Sequence, residues 1–271
     1  MKTKSIFIFL ILPFFCYSQI IYKYDEKNSI NYSFQIKGNV SFSYPGTTEE
    51  KFKFYSKGNL KIETVKIEDD FYYLKVTPLK TIVKVGENVF EDLTSYETGI
   101  SSLISSCMAK MKKNGEIVQI NDITGGLLTL TQILKLLPVL PENISYGKKW
   151  EQKIPAFGFP GVPMCDVKFI YIYEKKNSIK LVGSQIIKET KKEGDTKIIF
   201  NGKNISNGFF DFNEDEGIIN KFNGDFSIEL FIKFEVPPSP DIKSKKTETI
   251  PMRVNLCFNL QISRIYSQIP P

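Results

Sequence analysis

The side chains best suited to chemistry here are acids, because the 271 residues include no histidine. That excludes Ser-His-Asp triads, imidazole general bases and the histidine-containing zinc and iron sites. The densest set of oxygen ligands is Asp211-Phe-Asn213-Glu-Asp215-Glu-Gly217. Oxygens at alternate positions are what the first half of a calcium loop supplies. Here the glycine falls one place late, and Phe222 stands at the twelfth position, where a bidentate Glu is expected. A hairpin turn between Phe212 and Ile218 explains the acids equally well. Asp211, Asn213 and Asp215 are therefore calcium candidates beside a plain turn. Asp69-Asp70 and Glu49-Glu50 read as solvated turns. A glycosidase needs two carboxyls facing across a cleft, and no spacing here shows that. Gly125-Gly126 lacks the Lys-Ser/Thr of a phosphate-cradling loop. The expectation is a protein that is no enzyme and carries no cofactor.

The first residues read as a leader. Met1 to Lys4 is a short basic start, and Ser5 to Phe15 is an apolar run of signal-peptide length. Cys16-Tyr17-Ser18 puts small residues at both ends of a three-residue window, which places cleavage after Ser18. The run is shorter than the roughly 20 apolar residues that span a bilayer. Residues 1–18 are then a signal peptide, and residues 19–271 are an exported chain with no second hydrophobic span. The formal charge of +6 includes Lys2 and Lys4 of the leader. The remaining excess is scattered over short runs such as Lys175-Lys176 and Lys191-Lys192, which look like hairpin tips. It makes no basic stripe for nucleic acid. Cys107, Cys165 and Cys257 remain, an odd number in an exported protein, so at least one thiol stays free. Their spacing does not choose a disulfide pairing.

Most of the chain must position any site with strands. Ile30, Tyr32, Phe34 and Ile36 alternate with polar residues, the period of a half-buried strand. Turn signals follow: Pro45-Gly46, Lys57-Gly58-Asn59, Asp69-Asp70, and Asn114-Gly115, the best hairpin signal of the chain. Asp92 to Ser106 reads as a short helix or irregular crossover. In the second half, Phe226, Ile228, Leu230, Ile232 and Phe234 face one way, and Val254 to Leu260 forms a closing strand. Pro155 to Pro163 (PAFGFPGVP) is too rich in Pro and Gly for regular structure, and Pro237 to Lys246 reads as an exposed loop. Tyr24 to Ile30 echoes Tyr173 to Ile179. There are 22 phenylalanines and 13 tyrosines beside one tryptophan. Lys168 to Tyr173 and Ile228 to Ile232 carry apolar groups on both faces, so both faces call for cover.

Between the strand-rich runs 19–122 and 147–271 lies the clearest helical signal. Leu127, Leu130, Leu134 and Leu137 fall at i, i+3, i+7 and i+10, with Thr124 to cap and Pro138 to stop. This predicts one main amphipathic helix over 125–137.

The Asn-Gly hairpin, Gly115 to Ile120, the Leu-rich stretch, Leu140-Pro141 and Gly147-Lys-Lys-Trp150 form one succession. It resembles a broad group of secreted bacterial β-rich envelope proteins of unknown function, in which a Leu-Pro … Gly-x-x-Trp step joins two strand-rich halves. The resemblance implies an envelope location and transfers no catalytic residue. More distantly, a curved sheet with a plugging helix is similar to the half-barrel of periplasmic lipoprotein carriers.

The fold expected is mainly β: a large antiparallel curved sheet or open barrel of about a dozen strands, braced by the helix. The function expected is binding of an apolar ligand or lipid between sheet and helix. The side chains to hold it are Leu127, Leu130, Leu134, Leu137, Trp150, Phe157 and Phe159. The alternative is an interaction protein that meets an envelope partner through a sheet edge or the loop 155–163.

Overall fold

Alternation of apolar and polar side chains turns most of the chain into strands, and these strands pair with one another. The computed structural model describes residues 20–26, 28–86, 88–91, 106–121, 130–155, 165–237 and 248–266, with the backbone alone at 85, 88–91 and 130–132. The leader 1–18, all but Ser106 of the crossover read at 92–106, and most of the loops 155–163 and 237–246 lie outside these residues. The strands in chain order are β1 (Ser29–Ser43), β2 (Glu50–Glu68), β3 (Phe71–Val85), β4 (Asn88–Glu91), β5 (Cys107–Lys112) and β6 (Ile117–Asn121). After the helix α1 (Leu130–Lys135) come β7 (Lys149–Pro155), β8 (Asp166–Lys175), β9 (Ser178–Glu193), β10 (Thr196–Asn213), β11 (Ile218–Val236) and β12 (Glu248–Ile265).

All twelve belong to one antiparallel sheet in the order β6-β5-β3-β2-β1-β12-β11-β10-β9-β8-β7, with β4 beside β3. The two strand-rich runs form its two arms. They are joined where the first strand meets the last, from Asn31 opposite Ile265 to Ser43 opposite Arg253. The sheet is open: among the described residues, β6 and β7 have no strand on their outer edges.

The sheet is also bent. β5 and β8 stand eight strand spacings apart, which in a flat sheet is about 38 Å. Yet the turn after β5 and the middle of β8 both bond to residues 136–140: Leu140 N–H donates to Asn114 O at 2.7 Å, and the Tyr171 hydroxyl donates to Leu136 O at 2.9 Å. The concave face carries the core. Ile30, Tyr32, Phe34 and Ile36 of β1 are buried, as are Val167, Phe169, Tyr171 and Tyr173 of β8. The convex face is left to solvent. Phe231 is 41% exposed there, opposite Arg253 and under the Lys233 ammonium. Cover on both faces, expected from the two-sided apolar strands, is thus found on one face only. Charged cross-strand neighbours shield the outer aromatics instead.

One turn signal behaves differently from expectation. Lys57-Gly58-Asn59 does not turn the chain; β2 runs through it with a register shift against β3. A Cβ on Gly58 would lie 2.7 Å from the Thr81 hydroxyl, so glycine here permits a close strand approach, not a reversal. The sequence echo of Tyr24 to Ile30 and Tyr173 to Ile179 covers two different settings. At the first of them Asn28 bonds back to Asp25, its N–H donating to Asp25 O, in a turn that leads into β1. Tyr173 to Ile179 joins β8 to β9.

The main amphipathic helix is not borne out. Within the described residues α1 is six residues long. Residues 125–129 lie outside them. α1 ends in a turn, with Leu136 N–H bonded to Ile133 O at 3.2 Å and Leu137 N–H to Leu134 O at 3.1 Å, and the chain leaves regular structure at Pro138. Pro138 and Pro141 account for this. Each pushes the residue before it out of the α region, and each lacks the N–H that a helix would need.

Candidate functional site

Residues 133–140, the end of α1 and the segment after it, form a strap across the concave face, and α1 meets both edge strands. Three of its N–H groups bond backbone carbonyls, those of Ile133, Leu134 and Asn114, and side chains supply further partners. Gln152, on β7, donates to Lys135 O at 2.8 Å and Leu137 O at 3.1 Å, and accepts from Val139 N–H at 3.0 Å. Tyr171 takes Leu136 O, and the Tyr22 hydroxyl takes Pro138 O at 3.1 Å. These bonds satisfy the carbonyls that a helix end leaves open.

Between the strap and both arms lies a cavity of about 40 Å³. Every lining side chain is aliphatic or aromatic. Ile133, Leu134, Leu136 and Leu137 come from the strap; Leu60, Ile62 and Val76 come from one arm, and Phe210, Ile219 and Phe222 from the other. Tyr24 and Tyr32 complete the wall at the end where hairpin turns gather. Beyond Tyr32, at the last inward position of β12, Arg264 bonds the Glu216 carboxylate and stacks on Tyr266.

Of the side chains singled out in the sequence, Leu134 and Leu137 line this cavity. Leu130 opens α1. Leu127, Phe157 and Phe159 lie outside the described residues. Trp150 is half-buried and does not line the cavity; it stacks on Tyr171 at 5.7 Å, behind the hydroxyl that holds the strap. Phe222, Phe210, Tyr24 and Tyr32 were not singled out, because alternation marks them only as inward-facing. Which inward residues meet a void depends on how the arms bend.

The calcium candidates form a turn. The Asn213 side-chain oxygen accepts the N–H groups of Asp215 and Glu216, Asp215 lies 3.9 Å from the Lys176 ammonium, and Gly217 takes φ +65°. Asp211 sits opposite Lys221 on the outer face. No group of three or more metal-ligating acids or cysteines converges among the described residues. Glu214 instead accepts the Tyr173 hydroxyl and the Asn177 N–H, clamping the β8–β9 turn to the β10–β11 turn. Of the thiols, Cys257 is exposed, while Cys107 and Cys165 are buried; burial pushes Cys165 up to about 12.

Burial also raises the phenols of Tyr22, Tyr24 and Tyr171 well above their ordinary range. The sign for stability follows directly. Below pH 10 both folded and unfolded tyrosines are neutral and contribute no pH dependence. Above it, the unfolded chain loses phenolic protons that the fold retains, so stability falls as pH rises, by up to about 1.4 kcal/mol per pH unit for each tyrosine. We expect phenolate absorbance in an alkaline titration to appear partly in one cooperative step that coincides with loss of the β-sheet circular dichroism signal. Smooth titration of all tyrosines with the sheet intact would contradict this.

No known protein family matches the chain, and no curated protein matches it. Among solved structures, the chain is similar to lipovitellin, described for its lipid–protein interactions, at 12% identity and TM-score 0.44. That match covers 90% of this chain but only 26% of lipovitellin, so the chain spans about a quarter of its length. It is also similar to OccK5 (OpdH) of Pseudomonas aeruginosa, at 6% identity and TM-score 0.26, covering 89% of this chain and 99% of that one. A LolA superfamily protein from Nitrosomonas europaea matches at 7% identity and TM-score 0.15, over 85% of each chain. Likenesses at these scores carry no argument about ligand or activity. No helix among the described residues is long and apolar enough to cross a membrane.

Proposed function

We propose that this is an exported, non-catalytic protein of the bacterial envelope that holds an apolar ligand, a lipid or a molecule with a lipid-like chain, between its bent sheet and its strap. One observation carries the reading. The void sits where both arms and the strap meet, and its lining side chains are all aliphatic or aromatic. Ligand sites are typically concave and mostly apolar, with a few polar groups to orient the guest. Tyr24 and Tyr32 are the lining residues whose side chains carry a polar atom. In the described state the void is about 40 Å³, whereas an engineered apolar cavity that takes up benzene is roughly 150 Å³. Holding a lipid chain therefore requires part of the wall to move.

The test is mass spectrometry of the chain purified without detergent from the envelope of its own host. A lipid bound in stoichiometric amount is the expected result. A clean apo mass, with no uptake of an apolar fluorescent probe, would overturn it. The second reading, an interaction protein, has its own observation: two sheet edges, β6 and β7, without a partner strand among the described residues. Crosslinking in the envelope that captures one partner through β7 would favour it.

A further inference from the structure

The cavity is closed at one end by the segment Ile20–Tyr24. We infer that this segment is the door through which an apolar ligand enters, opening while the sheet stays paired. The inference rests on the proposed reading of the cavity as the ligand site.

The segment belongs to no strand. Its described backbone bonds run to two hairpin turns: Tyr22 N–H to Lys113 O at 2.8 Å, and Lys23 N–H to Gly217 O at 3.0 Å. Side chains complete the seat. The Tyr72 hydroxyl donates to Tyr22 O at 2.9 Å, and the Tyr22 hydroxyl latches the segment to the strap at Pro138 O. Both receiving turns carry a glycine at positive φ where the segment comes closest. A Cβ on Gly115 would lie 2.4 Å from the Tyr22 ring, and one on Gly217 would lie 2.6 Å from Ile21 O. The seat is thus shaped for this segment.

Two comparisons make it the door. Opening the sheet between neighbouring strands breaks a ladder such as that of β10 and β11, which runs from Lys197 opposite Glu235 to Asn213 opposite Ile218. Releasing the segment breaks the bonds named and that of the Lys23 ammonium to Asp215 O at 2.9 Å, and it lifts the buried rings of Tyr22 and Tyr24 off Phe212 and Tyr72, while every rung of the sheet ladder stays paired. The strap is held covalently at both ends, by β6 and β7, and by Gln152, Tyr171 and Asn114 between them. With cleavage after Ser18, as proposed, the segment begins one residue from a free end. Its departure also removes the Tyr24 ring from the cavity wall, which enlarges a void otherwise too small for a ligand.

The experiment follows uptake of N-phenyl-1-naphthylamine by stopped-flow fluorescence, in the chain from Gln19 and in its Tyr22→Phe variant. It also measures hydrogen exchange at the Lys23 amide of the unmodified chain. The variant loses the latch to Pro138 and keeps the ring. Uptake is expected to quicken by about fivefold, the factor that matches a net hydrogen-bond contribution of about 1 kcal/mol. The Lys23 amide is expected to exchange by local opening, ahead of the β10 and β11 amides. Probe binding at an unchanged rate in a folded variant would overturn the door and leave the cavity reading standing. Lys23 exchange only through global unfolding would do the same, and it decides the matter if the variant does not fold. No uptake by any form would overturn the cavity reading and the door together.

Discussion

Phe222→Ala is expected to cost about 3–5 kcal/mol of stability, the range for removing a fully buried aromatic ring from a core. Phe222 is 1% exposed and forms part of the cavity wall. Its ring stacks on Phe210 at 4.2 Å, and Phe226 lies 6.2 Å away. Removing it deletes that stack and merges its volume with the existing void. The surroundings have little freedom to collapse, because Phe222 is pinned between Phe210 on β10 and Ile262 on β12 in the middle of the sheet. The loss is large against a typical total of about 5–15 kcal/mol, so urea denaturation measures it directly. The variant should also gain binding of a small apolar guest such as benzene, as enlarged dry cavities do. A loss below about 1 kcal/mol would mean that the arms close over the gap. In that case the void is not held open by the sheet, and the ligand reading weakens with it.

Tyr171 is the second position where one change should have a large effect, and there ring and hydroxyl can be separated. The side chain is fully buried, with Trp150 on one side and Phe210 on the other. Tyr171→Ala is expected to cost about 3–5 kcal/mol through the lost ring. Tyr171→Phe keeps the ring and leaves Leu136 O without its donor, a buried carbonyl unsatisfied, at about 1–3 kcal/mol. The hydroxyl variant should act mainly on the strap: amide exchange at 136–140 should rise more than exchange in the strands. If Tyr171→Phe proves neutral in denaturation and in exchange, the strap does not depend on this hydroxyl. Gln152 would then be its chief anchor on the β7–β8 arm.

Much of the fold was legible in the residues. Alternation in Ile30 to Ile36 and in Phe226 to Phe234 assigned strands and their inward faces, because side chains alternate across a strand. Asn114-Gly115 announced its hairpin, since Gly115 sits at φ +95°. The leucine-rich stretch was the misleading part. Its i, i+3, i+7 spacing is helical, but Leu134, Leu136 and Leu140 are all buried. Two prolines and a concave apolar wall on the sheet side favour a turn and an irregular run after α1. Tertiary burial outweighs a local periodicity worth only tenths of a kcal/mol per residue. The place of Trp150 could not be read either, since a residue near a strand's start says nothing of the ring it will stack on.

What the sequence determined by itself is therefore local: a β-rich chain, the inward face of each strand, most of its turns, and an apolar interior without histidine chemistry. Each follows from the period of side chains or from the conformational limits of Gly, Pro and Asn, which act over a few residues. What only the tertiary structure decided is non-local. β1 pairs with β12, so the first and last strands lie at the centre of the sheet and make its two halves continuous. The two arms bend until Phe222 and Leu60 face one void. Ile20–Tyr24 seats on two distant turns. Such contacts join residues 91 (Tyr22 to Lys113) or more positions apart. They are chosen by which apolar faces can cover one another once the strands exist, and no spacing along the chain records that choice.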